Sequence, residues 1–354
     1  MHFLEIWKHP ELFEQYNFDE LDNKVNYIEN VRAENNLFNN VIKELNNRVD
    51  IDYIKDSELI EGNEILALKD INFDDEYEEL YETNIFDKKV RPSSIDVFFF
   101  GKYSTLLKNG RLIIYKKDLE NGKIFKFNCG MPNHLKALKS AFETARKELT
   151  ASQNGVKIPI TAKFIEKKHE ELFQDYIQIN TRLNKVPGGP HIKPEGYGKF
   201  RRTININGAK HEYNVEVEGC KWEPTNSDYV SEEMSKLIEY YNTSSFHPIL
   251  KAAIFKACFI KIHPFRDGNG RLSRLLLNYM LVREGFPTIT IRGTNKEEYF
   301  FALDSAIENN DYSNLILLIK TELNQRCNQY MSLMDKLNIK DQSVNIETET
   351  LNVN

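Results

Sequence analysis

Apolar side chains recur at helical spacing through most of the chain. Spaced Leu, Val, Ile and Phe among Asn, Glu and Lys predict an amphipathic helix over residues 18–48. Asn133 can cap another helix, in which Leu135, Leu138, Phe142 and Leu149 line one face. Further helices are predicted at 161–176, 229–242, 247–262, 271–284, 295–309 and 311–334. We therefore expect a mainly α protein.

Two stretches replace this helical pattern with strand patterns. The segments VFFFGKYSTLLK, RLIIYK and KIFKF are separated by turns at Asn109-Gly110 and Asn121-Gly122. They predict a small antiparallel β meander at about 96–128. The segment FRRTININGAKHEYNVEVEG predicts a β-hairpin that turns near Asn207-Gly208.

These elements divide the chain into four regions. A helical region is expected over 1–69, followed at 70–150 by an acidic loop, the meander and a helix. A larger helical unit is expected over 151–334, and it includes the hairpin and an irregular segment rich in Pro and Gly. Residues 335–354 form a polar tail.

Composition excludes several classes of function. The 354 residues contain 47 Lys and Arg against 53 Asp and Glu, and this interspersed charge of −6 argues against a dedicated nucleic-acid binder. The four cysteines lie far apart without a CxxC pair, which predicts a reducing compartment and no disulfide framework. The sequence has neither a signal-peptide pattern nor a membrane-spanning apolar run, so we expect a cytoplasmic protein with no membrane partner.

Candidate chemistry is concentrated in residues 263–274, HPFRDGNGRLSR. The turn sequence Asp267-Gly268-Asn269-Gly270 opens onto a predicted helix, so its backbone N–H groups can converge on an anion. Arg271 and Arg274 lie on the first helical turn and suit a polyphosphate. Asp267 offers an oxygen ligand for Mg²⁺, and His263 offers a proton acceptor.

A plainer interpretation of this stretch is a Gly-rich turn between two helices, with an Asp cap and surface arginines. Spacing alone leaves both interpretations open. The sequence contains no GxxxxGK[ST], HExxH or GxSxG pattern, which removes the P-loop, zinc-protease and serine-hydrolase interpretations.

The same residues match the signature HxFx[DE]GNGRxxR at every specified position, so the chain resembles the Fic family over roughly residues 150–330. The resemblance implies a Fic-type helical core with a β-hairpin flap at about 200–222. It also implies an enzyme that transfers AMP from ATP to a hydroxyl of a target protein, with Mg²⁺ as cofactor.

The resemblance also implies roles for single residues. His263 would be the general base toward a target Ser, Thr or Tyr, and Asp267 would hold Mg²⁺. The other implied ATP and phosphate contacts are Gly268, Asn269, Gly270, Arg271, Leu272, Ser273, Arg274, Tyr299 and Phe300, and the implied flap contacts are Gly219, Cys220, Lys221 and Trp222. Tyr299 as a core aromatic and a purely structural hairpin are the alternatives. Ile307 replaces a family Asn, which leaves the nucleotide preference open.

Residues 57–63, SELIEGN, match the pattern [ST]xxxE[GN] of the inhibitory helix in the regulatory branch of the Fic family. By this resemblance Glu61 would pair with Arg274 and occupy the guanidinium that the γ-phosphate needs. Ser57 would fix the helix by a local hydrogen bond. The plainer alternative is a helix that ends with Gly62 at its C′ position.

Three other functions remain open on the sequence. They are the removal of AMP, with Glu61 positioning a water; the transfer of another nucleotide or phosphate group; and a non-catalytic module for nucleotide binding or partner docking. The expected partners are ATP and a target protein, together with self-modification and a homodimer by family resemblance.

Overall fold

The computed structural model describes residues 3–61, 97–100, 103–108, 111–117, 124–128, 130–174, 197–206, 209–211, 214–217 and 220–339. This part of the chain is mainly helical, as expected. In chain order its helices are α1 (Asp19–Glu34), α2 (Asn36–Ile60), α3 (Gly130–Gln153), α4 (Ala162–Leu172), α5 (Val230–Thr243), α6 (Pro248–Ile262), α7 (Asn269–Val282), α8 (Lys296–Asn309) and α9 (Ser313–Lys336). Within the described ranges, none of these helices combines the length and apolarity that a membrane crossing requires.

The single helix predicted over 18–48 was wrong, because the chain forms two helices there. Asn35 takes an extended conformation (φ −118°, ψ 100°) and ends α1. Its Oδ1 accepts a hydrogen bond from the Phe38 N–H at 2.9 Å, so Asn35 caps the start of α2. The second helix then continues to Ile60 and leaves Glu61 directly after its last turn.

Helix α6 lies at the centre of the fold. Its sequence is apolar on nearly every side, and such a helix is stable when neighbours cover it all round. It packs against α5, α7, α8 and α9, and the side chains of Ile254, Phe259 and Ile262 are fully buried. The motif residues 263–274 follow its last turn, so they start from a rigid and buried element.

Helix α2 packs across this core and reaches the motif. It contacts α1, α3, α7 and the short 3₁₀ turn Gly293–Asn295. Asp56 accepts a hydrogen bond from the Gly293 N–H at 2.9 Å, and Asn46 accepts one from the Tyr330 hydroxyl at 2.6 Å. The end of α2 is therefore held beside the first turn of α7.

Strands occur in two places within the described ranges. β1 (Val97–Phe100), β2 (Tyr103–Lys108), β3 (Arg111–Lys117) and β4 (Ile124–Asn128) pair antiparallel in chain order. β5 (Ile204–Ile206) and β6 (Ala209–His211) form a short antiparallel pair, with Ile204 opposite His211. The predicted acidic loop, the hairpin turn at 207–208, most of the Pro- and Gly-rich segment, Gly219 and the tail from 340 onward lie outside the described residues.

Candidate active site

His263 follows the last turn of α6 in a left-handed backbone conformation (φ 52°, ψ 58°). Its Nδ1 lies 3.3 Å from the carbonyl oxygen of Ile260. A carbonyl can only accept, so Nδ1 is the donor in this contact and Nε2 is left as the proton acceptor. Burial is the largest influence on the imidazole and lowers its pKa to about 4, so His263 is neutral at physiological pH.

The loop after His263 is closed by Asn269. Its Oδ1 accepts from the Phe265 N–H at 3.0 Å, and its Nδ2 donates to the Phe265 carbonyl at 2.8 Å. The side chain of Asn269 is thus engaged with the loop itself. Gly268 has φ 76°, and a Cβ there would overlap the ring of Phe173, so both its backbone and its surroundings require glycine.

Asp267 and Arg271 face one another at the start of α7. Oδ1 of Asp267 accepts from the Gly268 N–H at 2.6 Å and lies 3.5 Å from Nη2 of Arg271. The guanidinium of Arg271 lies over the ring of Phe173, 4.9 Å from its centroid. The Asp267 side chain is 41% exposed, so its carboxylate remains accessible from solvent.

Arg274 is buried and makes an ion pair with Glu61. Nη2 of Arg274 lies 2.8 Å from Oε1 of Glu61, and this contact joins α7 to the end of α2. Ser57 supplies two further acceptors. Its Oγ accepts a hydrogen bond from Nε of Arg274, and its carbonyl accepts one from Nη2, each at 2.9 Å. Burial is the largest single influence and acts to lower the pKa of Arg274, but the charge and hydrogen bond of Glu61 together with Tyr299 and Tyr53 outweigh it and keep that pKa above its usual value.

The resemblance implies a local hydrogen bond of Ser57, and in the structure its Oγ also accepts a hydrogen bond from Arg274 on another helix. Gly270 makes the contact of Glu61 possible, because a Cβ at Gly270 would overlap the carboxylate of Glu61. The pair therefore lies directly over the first turn of α7.

Leu272 and Ser273 lie in the interior of this first turn. The Leu272 N–H donates to the Gly268 carbonyl at 2.9 Å, and the side chain of Leu272 is fully buried. The Ser273 hydroxyl donates a hydrogen bond to the Gly270 carbonyl at 2.9 Å and accepts one from the ammonium of Lys256 at 3.1 Å. Burial and the neighbouring charge of Arg274 lower the pKa of Lys256 well below its usual value.

The implied nucleoside contacts differ in exposure. Tyr299 is 1% exposed, and its ring lies 5.1 Å from the ammonium of Lys256, which favours the core alternative for this residue. Phe300 is 40% exposed at the surface of α8. Of the implied flap contacts, Lys221 is exposed, Cys220 is partly buried, and Trp222 donates its indole N–H to Asp304 at 2.9 Å. Trp222 is therefore tied to α8.

Two residues with several contacts to the motif were not found from the sequence. His169 on α4 donates from Nε2 to the Asp267 carbonyl and accepts the Gly198 N–H at Nδ1, each at 2.9 Å. Its ring stacks on Phe265 with centroids 3.8 Å apart. Arg201 donates to the carbonyls of Ile262 and His263. No spacing rule marks either residue, because both act across elements that are distant in sequence.

The fold and the loop together define the class of protein, a helical domain whose motif loop joins two central helices. Residues 159–281 match the model of the Fic/DOC family. The chain also resembles the protein adenylyltransferase fic-1 of Caenorhabditis briggsae, with 30% identity over 151 residues that cover 42% of this chain and 26% of that protein. The protein adenylyltransferase Fic of Culex quinquefasciatus is 33% identical over 152 residues, which cover 42% of this chain and 27% of that protein. The matched part thus spans about a quarter of these relatives' length.

Solved structures support the same fold. A Fic domain containing signaling protein from Bacteroides thetaiotaomicron superimposes with a TM-score of 0.53 at 17% identity, covering 92% of this chain and 100% of that one. A Fic-1 structure from Caenorhabditis elegans gives a TM-score of 0.51 at 18% identity, covering 89% of this chain and 73% of that one.

Proposed function

We propose that the chain is an auto-inhibited, Mg²⁺-dependent protein adenylyltransferase, which transfers AMP from ATP to a hydroxyl side chain of a target protein. The observation that carries the proposal is the arrangement at the start of α7. There a neutral His263 and an exposed Asp267 flank the helix N-terminus, with Arg271 beside them. The similarity to protein adenylyltransferases of other organisms supports the same activity.

The residues have complementary tasks in the proposed reaction. Nε2 of His263 accepts the proton of the target hydroxyl, whose oxygen attacks the α-phosphorus of ATP. A new bond forms between that oxygen and the α-phosphorus, and the bond to the bridging oxygen of the β-phosphate breaks, so pyrophosphate leaves. The N–H groups at the start of α7 and the guanidinium of Arg271 stabilise the negative charge on the phosphates. Arg274 binds the γ-phosphate once it is released from Glu61.

Asp267 fits a magnesium site. Mg²⁺ is usually bound by one or two carboxylates together with substrate phosphates and water. Asp267 provides one accessible carboxylate beside the proposed phosphate site, and the described residues contain no cluster of three or more His, Cys, Asp or Glu that would form an all-protein cage. When bound by Asp267, the metal would offset the negative charge of the phosphates.

Glu61 is the proposed inhibitory residue. Its carboxylate accepts a hydrogen bond from Nη2 of Arg274. It also lies over Gly270, where phosphate oxygens would approach the backbone. A negative carboxylate in this position repels the γ-phosphate and competes for the same guanidinium. Displacement of the end of α2 would free both positions at once.

The proposal is tested with ATP labelled at the α-phosphate and, in a separate reaction, at the γ-phosphate. Wild type, Glu61→Gly and Glu61→Gly/His263→Ala are incubated with Mg²⁺ and a cell lysate, and protein-bound label is read on a gel. We expect α-label with Glu61→Gly, little with wild type and none with the double variant. Label from the γ-phosphate alone would mean phosphoryl transfer. No label from either position, with the fold intact, would favour AMP removal, another nucleotide or a binding role.

A further inference from the structure

Arg201 lies just ahead of β5 and is almost completely buried. Its side chain extends to the C-terminal end of α6. Nε donates to the His263 carbonyl at 2.6 Å, and Nη2 donates to the Ile262 carbonyl at 2.9 Å and to the Thr225 carbonyl. The backbone N–H of Arg201 donates to the Pro264 carbonyl at 2.7 Å. One residue thus holds the carbonyl groups of three consecutive residues around His263.

These carbonyls lie at the C-terminal end of α6, where main-chain carbonyl groups need hydrogen-bond donors from outside the helix. The last carbonyl groups of a helix have no acceptor role inside it, and a positive charge at this end interacts favourably with the helix dipole. Burial lowers the pKa of Arg201 to about 10, so the guanidinium stays charged at physiological pH. Arg201 is therefore a charged cap on α6 that is supplied by another part of the chain.

The backbone at His263 also needs outside support. A left-handed conformation is unfavourable for residues other than glycine and persists where surrounding contacts enforce it. The direction of the imidazole depends on this conformation, because φ and ψ of His263 set where its Cβ points. The contacts of Arg201 to residues 262, 263 and 264 fix the backbone on both sides of that Cβ.

The same short segment of chain also reaches the other end of the loop. The Gly198 N–H donates to Nδ1 of His169, whose Nε2 donates to the Asp267 carbonyl. Residues 198–201 thus contact the backbone of the proposed base and, through His169, that of the proposed metal ligand. This segment leads directly into β5, so the start of the hairpin is fixed relative to both groups.

We propose that Arg201 is a positioning residue, which holds His263 in the conformation that proton transfer from the target hydroxyl requires. The proposal rests on the function proposed above. Arg201 contacts main-chain oxygens of the motif and its surroundings, so its effect on the reaction passes through His263. Loss of the guanidinium should therefore slow the chemical step more than it weakens ATP binding.

The test uses Glu61→Gly as the parent protein and adds Arg201→Met, Arg201→Lys or Arg202→Met. Arg202 is the adjacent arginine and is exposed, so it is the matched control. Self-modification at saturating ATP gives the rate, and calorimetric titration with a non-hydrolysable ATP analogue gives the affinity. We expect Arg201→Met to slow transfer by about 10- to 100-fold with affinity changed by less than ~3-fold. Arg201→Lys should recover part of the rate, and Arg202→Met should match the parent.

A second measurement is independent of activity. Histidine labelled with ¹³C and ¹⁵N is introduced into each variant, and the imidazole signals of His263 are assigned with His263→Ala. We expect the His263 signals to change in Arg201→Met and to be retained in Arg202→Met. If Arg201→Met does not fold, Arg201→Lys supplies the same comparison.

The outcomes separate this proposal from the proposed function. Unchanged His263 signals together with an unchanged rate would overturn the role of Arg201. A parallel loss of rate and ATP affinity would also overturn it, because Arg201 would then act on nucleotide binding. If the parent transfers AMP neither to itself nor to proteins of a cell lysate, the proposed function fails, and the His263 signals still decide whether Arg201 positions this residue.

Discussion

Glu61 and Arg274 form an ion pair of 2.8 Å that joins the end of α2 to the first turn of α7. The Arg274 side chain is 2% exposed, whereas that of Glu61 is 20% exposed, so the buried charge depends on a carboxylate at the edge of the site. Removing one partner of a buried pair leaves the other charge uncompensated. The pair should therefore couple the position of α2 to the stability of the motif.

A double-mutant cycle tests this coupling. Glu61→Gln, Arg274→Met and the double variant are unfolded in urea, and the free energies of unfolding are compared. We expect a coupling energy of ~1–3 kcal/mol, because the two side chains are in direct contact. The exposed pair Lys236–Glu232 is the control, for which a much smaller coupling is expected because solvent screens it. Equal coupling in the two pairs would show that Glu61 does not compensate Arg274.

Ser57 should support the same contact from the α2 side. Ser57→Ala removes the acceptor of Arg274 Nε from a buried position, which should lower the free energy of unfolding by ~1–2 kcal/mol. Because Arg274 is then held less firmly, AMP transfer should rise by about two- to tenfold. Ser235→Ala removes an exposed hydroxyl on α5 and should change neither quantity. An activity below that of wild type would contradict an inhibitory role for this contact.

His169 should make stability depend on pH. Burial lowers the pKa of His169 to about 4 from a usual value of 6.5, so the unfolded chain takes up a proton at higher pH than the folded protein does. The stabilisation by His169 is thus complete above about pH 6.5 and is lost as the pH falls toward 4. His169→Phe retains a ring against Phe265 and does not titrate. The difference in unfolding free energy between wild type and His169→Phe should shrink from pH 7 to pH 4, and a constant difference would contradict this assignment.

Asp267 should determine the Mg²⁺ concentration that the proposed transfer requires. In the Glu61→Gly background, Asp267→Asn removes the negative charge that Mg²⁺ prefers as a ligand. We expect the Mg²⁺ concentration for half-maximal transfer to rise by about 10- to 100-fold. Asp335→Asn, an exposed position near the end of α9, should leave it unchanged. An unaltered Mg²⁺ requirement in Asp267→Asn would place the metal elsewhere.

The helices and the motif loop could be predicted from sequence because their signals are local. The apolar repeats give α5, α6, α8 and α9 to within two residues at each end. Helix α7 begins at Asn269, two residues before the predicted start, because Asn269 and Gly270 join its first turn. The break at Asn35 was not predicted because the amphipathic pattern continues across it. There a single asparagine caps the start of α2 and separates the two helices.

The contacts that surround the loop could not be predicted in the same way. Arg201 and His169 reach the motif from positions 62 and 98 residues away, through backbone carbonyls that carry no sequence signal. For Arg274, the sequence predicted one role but not the contacts within the protein. Its charge and spacing marked it as a phosphate contact, but its bonds to Ser57 follow from how α2 packs in three dimensions.

The central claim is AMP transfer by His263 that Glu61 inhibits, and the intact mass of the purified protein tests it most directly. Wild type, Glu61→Gly and Glu61→Gly/His263→Ala are incubated with Mg²⁺ and ATP and then analysed by mass spectrometry. The account predicts mass increments of whole AMP groups in Glu61→Gly, far fewer in wild type and none in the double variant. Equal AMP addition in wild type and Glu61→Gly, or AMP addition that persists without His263, would contradict it.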